Sequence, residues 1–180
     1  MSISTIRIPL VRARQLAEAL IADLAPGCER IEVAGSIRRR KPEVGDLEIV
    51  CVPKLRLNVL GESDGTHLDP ILERLQERGD LKRIKGGSKY KQYELPAHGC
   101  KLDLFLTTAA QWGLVLLIRT GPAEFSKRFV TRRLLGGLLP NDMSVHGGYL
   151  WRKVELLQTP EEETAFALAG VRYLEPWART

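Results

Sequence analysis

The chain has 180 residues, 44% of them hydrophobic, with 27 basic against 22 acidic residues and a net charge of +5. A chain of this size hides about 70% of its unfolded surface on folding, enough for one domain or two small lobes, and the positive balance favours a polyanionic partner. Cys28, Cys51 and Cys100 are odd in number, widely spaced and form no CxxC pattern, so neither a disulfide framework nor a zinc site is indicated. No run nears the roughly 18 apolar residues a membrane helix needs, and charge interrupts the leading MSISTIRIPLVRARQ, so a soluble intracellular chain, cytoplasmic or viral, without signal peptide or membrane span, is expected.

In chain order, Val11, Ala13, Leu16, Ala17, Leu20, Ile21 and Leu24 recur at helical spacing until Pro26-Gly27 stops them, so one amphipathic helix opens the fold. Ile31 to Ala34 reads as a strand ended by Gly35-Ser36, and Leu47 to Val52 as another ended by Pro53. Asn58 to Thr66 reads as a loop, and Leu68 to Arg78 as a helix with Leu68, Ile71, Leu72 and Leu75 inward. Leu81 to Ile84, Lys89 to Leu95 and Lys101 to Leu106 are expected as successive antiparallel strands. Beyond Thr107 two helices, Ala109 to Ile118 and Pro122 to Leu135, flank the turn Thr120-Gly121. A hairpin follows over Val145 to Leu157, turning at His146-Gly147-Gly148. Thr159, Pro160 and Glu162 then read as a capping box opening a last short helix. The fold class expected is α+β: a mixed or antiparallel sheet backed by helices over residues 1–106, with a small α/β lobe over 107–180.

Asp46 and Glu48 open a strand two residues apart, so alternation sends both carboxylates to one face while Leu47 and Ile49 point into the core. Two neighbouring acids repel unless a hard cation such as Mg²⁺ lies between them; D-x-E alone also describes a solvated strand end. Gly35-Ser36 just upstream adds a turn with free amides and a hydroxyl, which together can hold an anion, with Arg38, Arg39 and Arg40 supplying charge. The same basic run also fits a solvated loop. Asp103 stands between Leu102 and Leu104 on a strand built for burial, where an acid needs either a basic partner such as Lys101 or a metal shared with Asp46 and Glu48. Trp112, Trp151 and Trp177 read as core or lobe-interface residues.

The ordered segments AGSIRRRKPEVGDLEIV (34–50), KLDLFL (101–106), RTGPAEFSKRF (119–129) and TPEEETAFALAGVRYLEPWAR (159–179) resemble the family X DNA polymerases, the polymerase beta group of the nucleotidyltransferases. They are similar, in turn, to the family's phosphate-binding and double-carboxylate palm motif, its third palm carboxylate, the T-G turn from palm to thumb, and the closing segment of the thumb. Little chain precedes Val11, so the resemblance implies a nucleotidyltransferase palm over 1–106 and a thumb-like lobe over 107–180, as in the smallest viral members.

The resemblance implies two-metal nucleotidyl transfer from a nucleoside triphosphate to a primer 3′-hydroxyl, in short-gap filling during DNA repair. Asp46, Glu48 and Asp103 would be both the catalytic and the metal-ligating residues, with Mg²⁺, or Mn²⁺ in its place. Gly35, Ser36, Arg39, Thr120 and Gly121 would hold the nucleotide, and Lys85, Lys89, Lys127, Arg128, Arg132 and Arg133 would contact gapped or primer-template DNA. A monomer away from membranes is expected. Two departures from the family pattern bear on substrate: Glu48 stands where DNA-polymerising relatives carry aspartate, and Ile118-Arg119 where relatives carry aromatic residues lining the nucleotide sugar. They keep open a minimal nucleotidyltransferase acting on RNA or untemplated ends; a non-catalytic nucleic-acid-binding module is the remaining alternative.

Overall fold

A computed structural model describes residues 7–179; the first six residues of the expected palm span, with the start of the charged leader, and Thr180 lie outside it. Its elements are β1 (Ile8–Pro9), α1 (Leu10–Leu24), β2 (Cys28–Val33), α2 (Gly35–Arg38), β3 (Glu43–Val44), β4 (Asp46–Pro53), β5 (Leu55–Leu57), β6 (Ser63–Thr66) and α3 (Asp69–Glu77). There follow β7 (Lys82–Gly86), β8 (Tyr90–Leu95), β9 (Cys100–Leu106), α4 (Trp112–Thr120), α5 (Ala123–Val130), β10 (Met143–His146), β11 (Tyr149–Arg152), β12 (Glu155–Leu157) and α6 (Glu162–Leu168). The class is α+β, with a mixed sheet backed by helices. Among the described residues no helix is long and apolar enough to cross a membrane.

The main sheet runs β2-β4-β9-β8-β7. Its β4–β9 pair is parallel, and the other three pairs are antiparallel. On one face Leu47, Ile49 and Cys51 of β4 and Leu102 and Leu104 of β9 pack against Leu16, Leu20 and Leu24 of α1 and Leu72 and Leu75 of α3. Alternation then gives the other face Asp46, Glu48, Val50 and Val52 from β4 and Lys101, Asp103 and Phe105 from β9. That face is divided along its length. Val50, Val52 and Phe105 are covered by Trp112 and Leu116 of α4, whereas the carboxylate end, half-buried, is left open.

Apolar residues surround α4, and both sides are buried. Trp112 and Leu116 press on the sheet, while Leu114 and Leu117 join Phe125, Phe129, Met143, Leu150 and Phe166 in a second hydrophobic core. Consequently α4 contributes to two hydrophobic cores at once.

Several local expectations are corrected. The span 58–66 is not a plain loop: β5 and β6 form a two-stranded ribbon whose turn is organised by the Asn58 carboxamide, accepting the N–H of Leu60 and of Glu62 at 2.9 and 3.0 Å. The helix expected to reach Leu135 stops at Val130. There Thr131 is extended and its hydroxyl is turned onto the Lys127 carbonyl. The 145–157 hairpin is a three-stranded sheet, with β12 paired to β11. No Thr159–Glu162 capping box forms, because Glu162 is drawn to Arg38 and Arg179 at 2.7 and 2.9 Å. A reciprocal pair of that kind forms instead ahead of α3, where Asp69 accepts the Thr66 N–H and the Thr66 hydroxyl accepts the Asp69 N–H. Of the two placements expected for Trp177 the core one does not hold: it is 49% exposed, and it takes the Arg40 guanidinium 3.7 Å above its ring, a contact between the 1–106 and 107–180 spans.

Candidate active site

Parallel pairing of β4 with β9 sets Glu48 directly opposite Asp103 and Asp46 opposite Lys101. All three acids therefore line one cleft of about 520 Å³, together with Ser36 and Arg39, while Arg7, Lys41 and Glu43 also border it. Burial raises the Asp46 carboxyl, Asp103 raises it further, and Lys101 opposes both. Glu48 is pushed up to about 7, first by burial and then by Asp103 and Asp46, against the pull of Arg39 and of the Ser36 N–H.

Each carboxylate is engaged differently. Glu48 lies against the bare Cα of Gly35, where a methyl group would overlap it. The positive φ of 58° at Gly35 makes that approach possible. The Gly35-Ser36 segment, expected as an open anion-binding turn, is instead the start of the single-turn helix α2, with the Glu48 carboxylate lying against it. Asp103 is not paired with Lys101; its Oδ1 accepts the Tyr90 hydroxyl at 2.6 Å and the Gln92 Nε2 at 2.8 Å. Asp46 Oδ1 is buried without a hydrogen-bond partner.

Among the described residues no three His, Cys, Asp or Glu side chains stand ready to hold a metal ion, so the expected Asp46-Glu48-Asp103 cage is not preformed. The reason lies in the contacts just given, since Glu48 is turned to the α2 wall and Asp103 Oδ1 to β8. The donor set nonetheless fits a hard divalent cation: three carboxylates share one cleft, two have raised pKa values partly through mutual repulsion, and one buried oxygen has no donor.

Behind the cleft, Arg38 and Arg39 both reach Thr120. Arg38 donates to its hydroxyl at 2.9 Å and Arg39 to its carbonyl, while Gly121 leaves room for the Arg39 guanidinium. Thr120 and Gly121, expected to hold a nucleotide, do not line the cleft; they hold Arg39, which borders it, and Thr120 also holds Arg38 behind it. Burial lowers the Arg39 pKa although Glu48 opposes this, and Arg39 Nε remains a buried donor without an acceptor. Arg38 is no free phosphate ligand either, because its guanidinium is shared among Glu32, Glu162 and Thr120.

Of the residues expected to contact DNA, Lys85, Lys89, Lys127, Arg128 and Arg132 are exposed and carry no ion pair among the described residues. Lys89 reaches the Gly147 carbonyl at 3.3 Å. Arg133 is committed to structure, donating to the carbonyls of Leu138 and Ala169. Arg119 does not enter the cleft; it lies over Phe105 at 4.1 Å. Sequence reasoning missed Tyr90 and Gln92. Their signal was the alternation in YKQYEL, where Tyr93 and Leu95 mark the buried face and so assign Tyr90 and Gln92 to the face of Asp103.

No protein-family model matches the chain, and no curated protein matches it closely enough to indicate a relative.

Proposed function

We propose that the chain is a nucleotidyltransferase of the family X DNA polymerase kind, extending a primer 3′-hydroxyl in gapped DNA with a deoxynucleoside triphosphate. The observation that carries this reading is the register of β4 against β9, which gathers Asp46, Glu48 and Asp103 in one cleft with Ser36 and Arg39. Asp46, Glu48 and Asp103 are the residues that would hold Mg²⁺ or Mn²⁺. Two such ions, when bound, compensate the charge that develops on the attacking and leaving oxygens of an in-line displacement.

The rest falls to the protein. The 3′-oxygen attacks the α-phosphorus, pyrophosphate leaves, and Asp103 receives the hydroxyl proton on Oδ2, the oxygen not engaged by Tyr90 and Gln92. Arg39, with its unsatisfied Nε, and the Ser36 hydroxyl hold the departing phosphates at the cleft wall. Lys85, Lys89, Lys127, Arg128 and Arg132 supply sequence-independent contacts to DNA phosphates.

The test is extension of a gapped duplex with Mg²⁺ or Mn²⁺ and all four deoxynucleotides. Wild type extends it, Asp46→Asn and Asp103→Ala do not, and Asp103→Ala still binds DNA. No extension by wild type under either metal would reject the proposal. Glu48, together with Arg119 laid on Phe105 instead of an aromatic wall at the cleft, favours a second reading with an RNA acceptor or ribonucleotides. Competition between ribo- and deoxynucleotides separates the two.

A further inference from the structure

Of the three acids, Asp103 alone is held by side-chain hydrogen bonds, and both come from uncharged donors on the next strand. Register places Gln92 opposite Asp103 and Tyr90 opposite Phe105, so these side chains rise from the sheet on the cleft side. Both donors converge on one oxygen, Oδ1, at 2.6 and 2.8 Å; among the described residues Oδ2 has no hydrogen-bond donor. The phenol is itself fixed: its ring stacks on Phe105 with centroids 5.2 Å apart and planes at 24°, and Arg119 covers Phe105.

Resting on the nucleotidyl-transfer reading, we propose that Tyr90 and Gln92 are positioning residues, which pin Asp103 through Oδ1 and so reserve Oδ2 for the metal and the primer hydroxyl. The chemistry of the donors matters. A lysine or arginine at 2.8 Å would orient the carboxylate but also neutralise it, leaving little charge to attract a cation. A phenol and a carboxamide orient it while its full negative charge remains. The only nearby cation on that strand, Lys101, acts on Asp46. Were Asp103 free to rotate, each metal-binding event would also have to order the side chain, a cost that the two hydrogen bonds remove in advance.

Tyr90→Phe and Gln92→Leu delete the donors while keeping the ring stack and the approximate volume, so folding, checked by thermal melting, is expected to survive. Mn²⁺ affinity is measured on the full chain without DNA or nucleotide, and kcat and KM are measured on a gapped duplex. The double variant is expected to lose about 10- to 100-fold in Mn²⁺ affinity and in kcat, with KM for the nucleotide within about twofold of wild type. In an Asp103→Asn background the same two substitutions should leave Mn²⁺ affinity unchanged, because they act only through that carboxylate.

Wild-type Mn²⁺ affinity in the double variant would overturn the proposal, as would an equal loss in the Asp103→Asn background. If wild type binds Mn²⁺ yet extends no primer, nucleotidyl transfer fails as a reading, while the Mn²⁺ comparison still decides whether Tyr90 and Gln92 position Asp103.

Discussion

Replacing Glu48 by glutamine separates what the cleft costs the fold from what it contributes to chemistry. Glutamine keeps the shape but carries no charge. The native carboxyl moves from an ordinary 4.5 to about 7, first because it is buried and then because Asp103 and Asp46 stand beside it. A folded chain that holds a proton more tightly than the unfolded chain loses stability as pH rises, here across the window from 4.5 to about 7. At about 1.4 kcal/mol per pH unit the cost reaches about 3 kcal/mol, and water in the open cleft reduces it to about 2 kcal/mol. Glu48→Gln is therefore expected to raise the metal-free melting temperature by about 4–8 °C at pH ~8 and to leave it nearly unchanged at pH ~4, where the Glu48 carboxyl is mostly protonated in the folded and in the unfolded chain alike. Melts across this range in chelator measure the effect. Excess Mg²⁺ should reverse the order, because only wild type gains from binding. A difference that does not grow between pH 4.5 and 7, or a variant less stable than wild type in chelator at pH ~8, would refute the reasoning.

Three further outcomes are expected. Gly35→Ala forces a methyl group onto the Glu48 carboxylate at a φ of 58°; it should cost about 1–3 kcal/mol in urea unfolding and abolish Mn²⁺ binding by calorimetry. Glu162→Gln removes one of two acidic partners from Arg38 and the acidic partner of the fully buried Arg179, and a loss of about 3–5 kcal/mol is expected by chemical denaturation. Lys127→Gln with Arg128→Gln should flatten the dependence of log K on log salt by about 0.9 per lost phosphate contact, read by fluorescence anisotropy on duplex DNA, with similar weakening on unrelated sequences.

The legible parts of the site were those governed by short-range alternation. Leu47 and Ile49 are wholly buried, and Asp46 and Glu48 share the opposite face, because a strand has a two-residue period. Which strand lies next to β4 was not legible: β7, β8 and β9 read as an antiparallel succession, and nothing local says that β9 returns in parallel beside β4. Without that register Asp103 has no visible relation to Asp46 and Glu48, which is why a basic partner such as Lys101 and a metal shared with those acids stood as alternatives. The missed capping box carries the same lesson in reverse. Thr159 and Glu162 have the right spacing, but two arginines distant in sequence outbid the local backbone for the carboxylate.

Because β4 and β9 touch directly, the passage from Lys54 to Leu81 is an excursion that leaves the sheet after one pair of acids, and the chain re-enters at the edge strand β7 before β9 brings the third acid back beside β4. The exposed turn between β5 and β6 can accordingly be lengthened, or carry an inserted reporter domain, without altering how the acids face one another. A slip of one residue between β4 and β9 would do the opposite, sending Asp103 inward and offering Leu104 to the solvent.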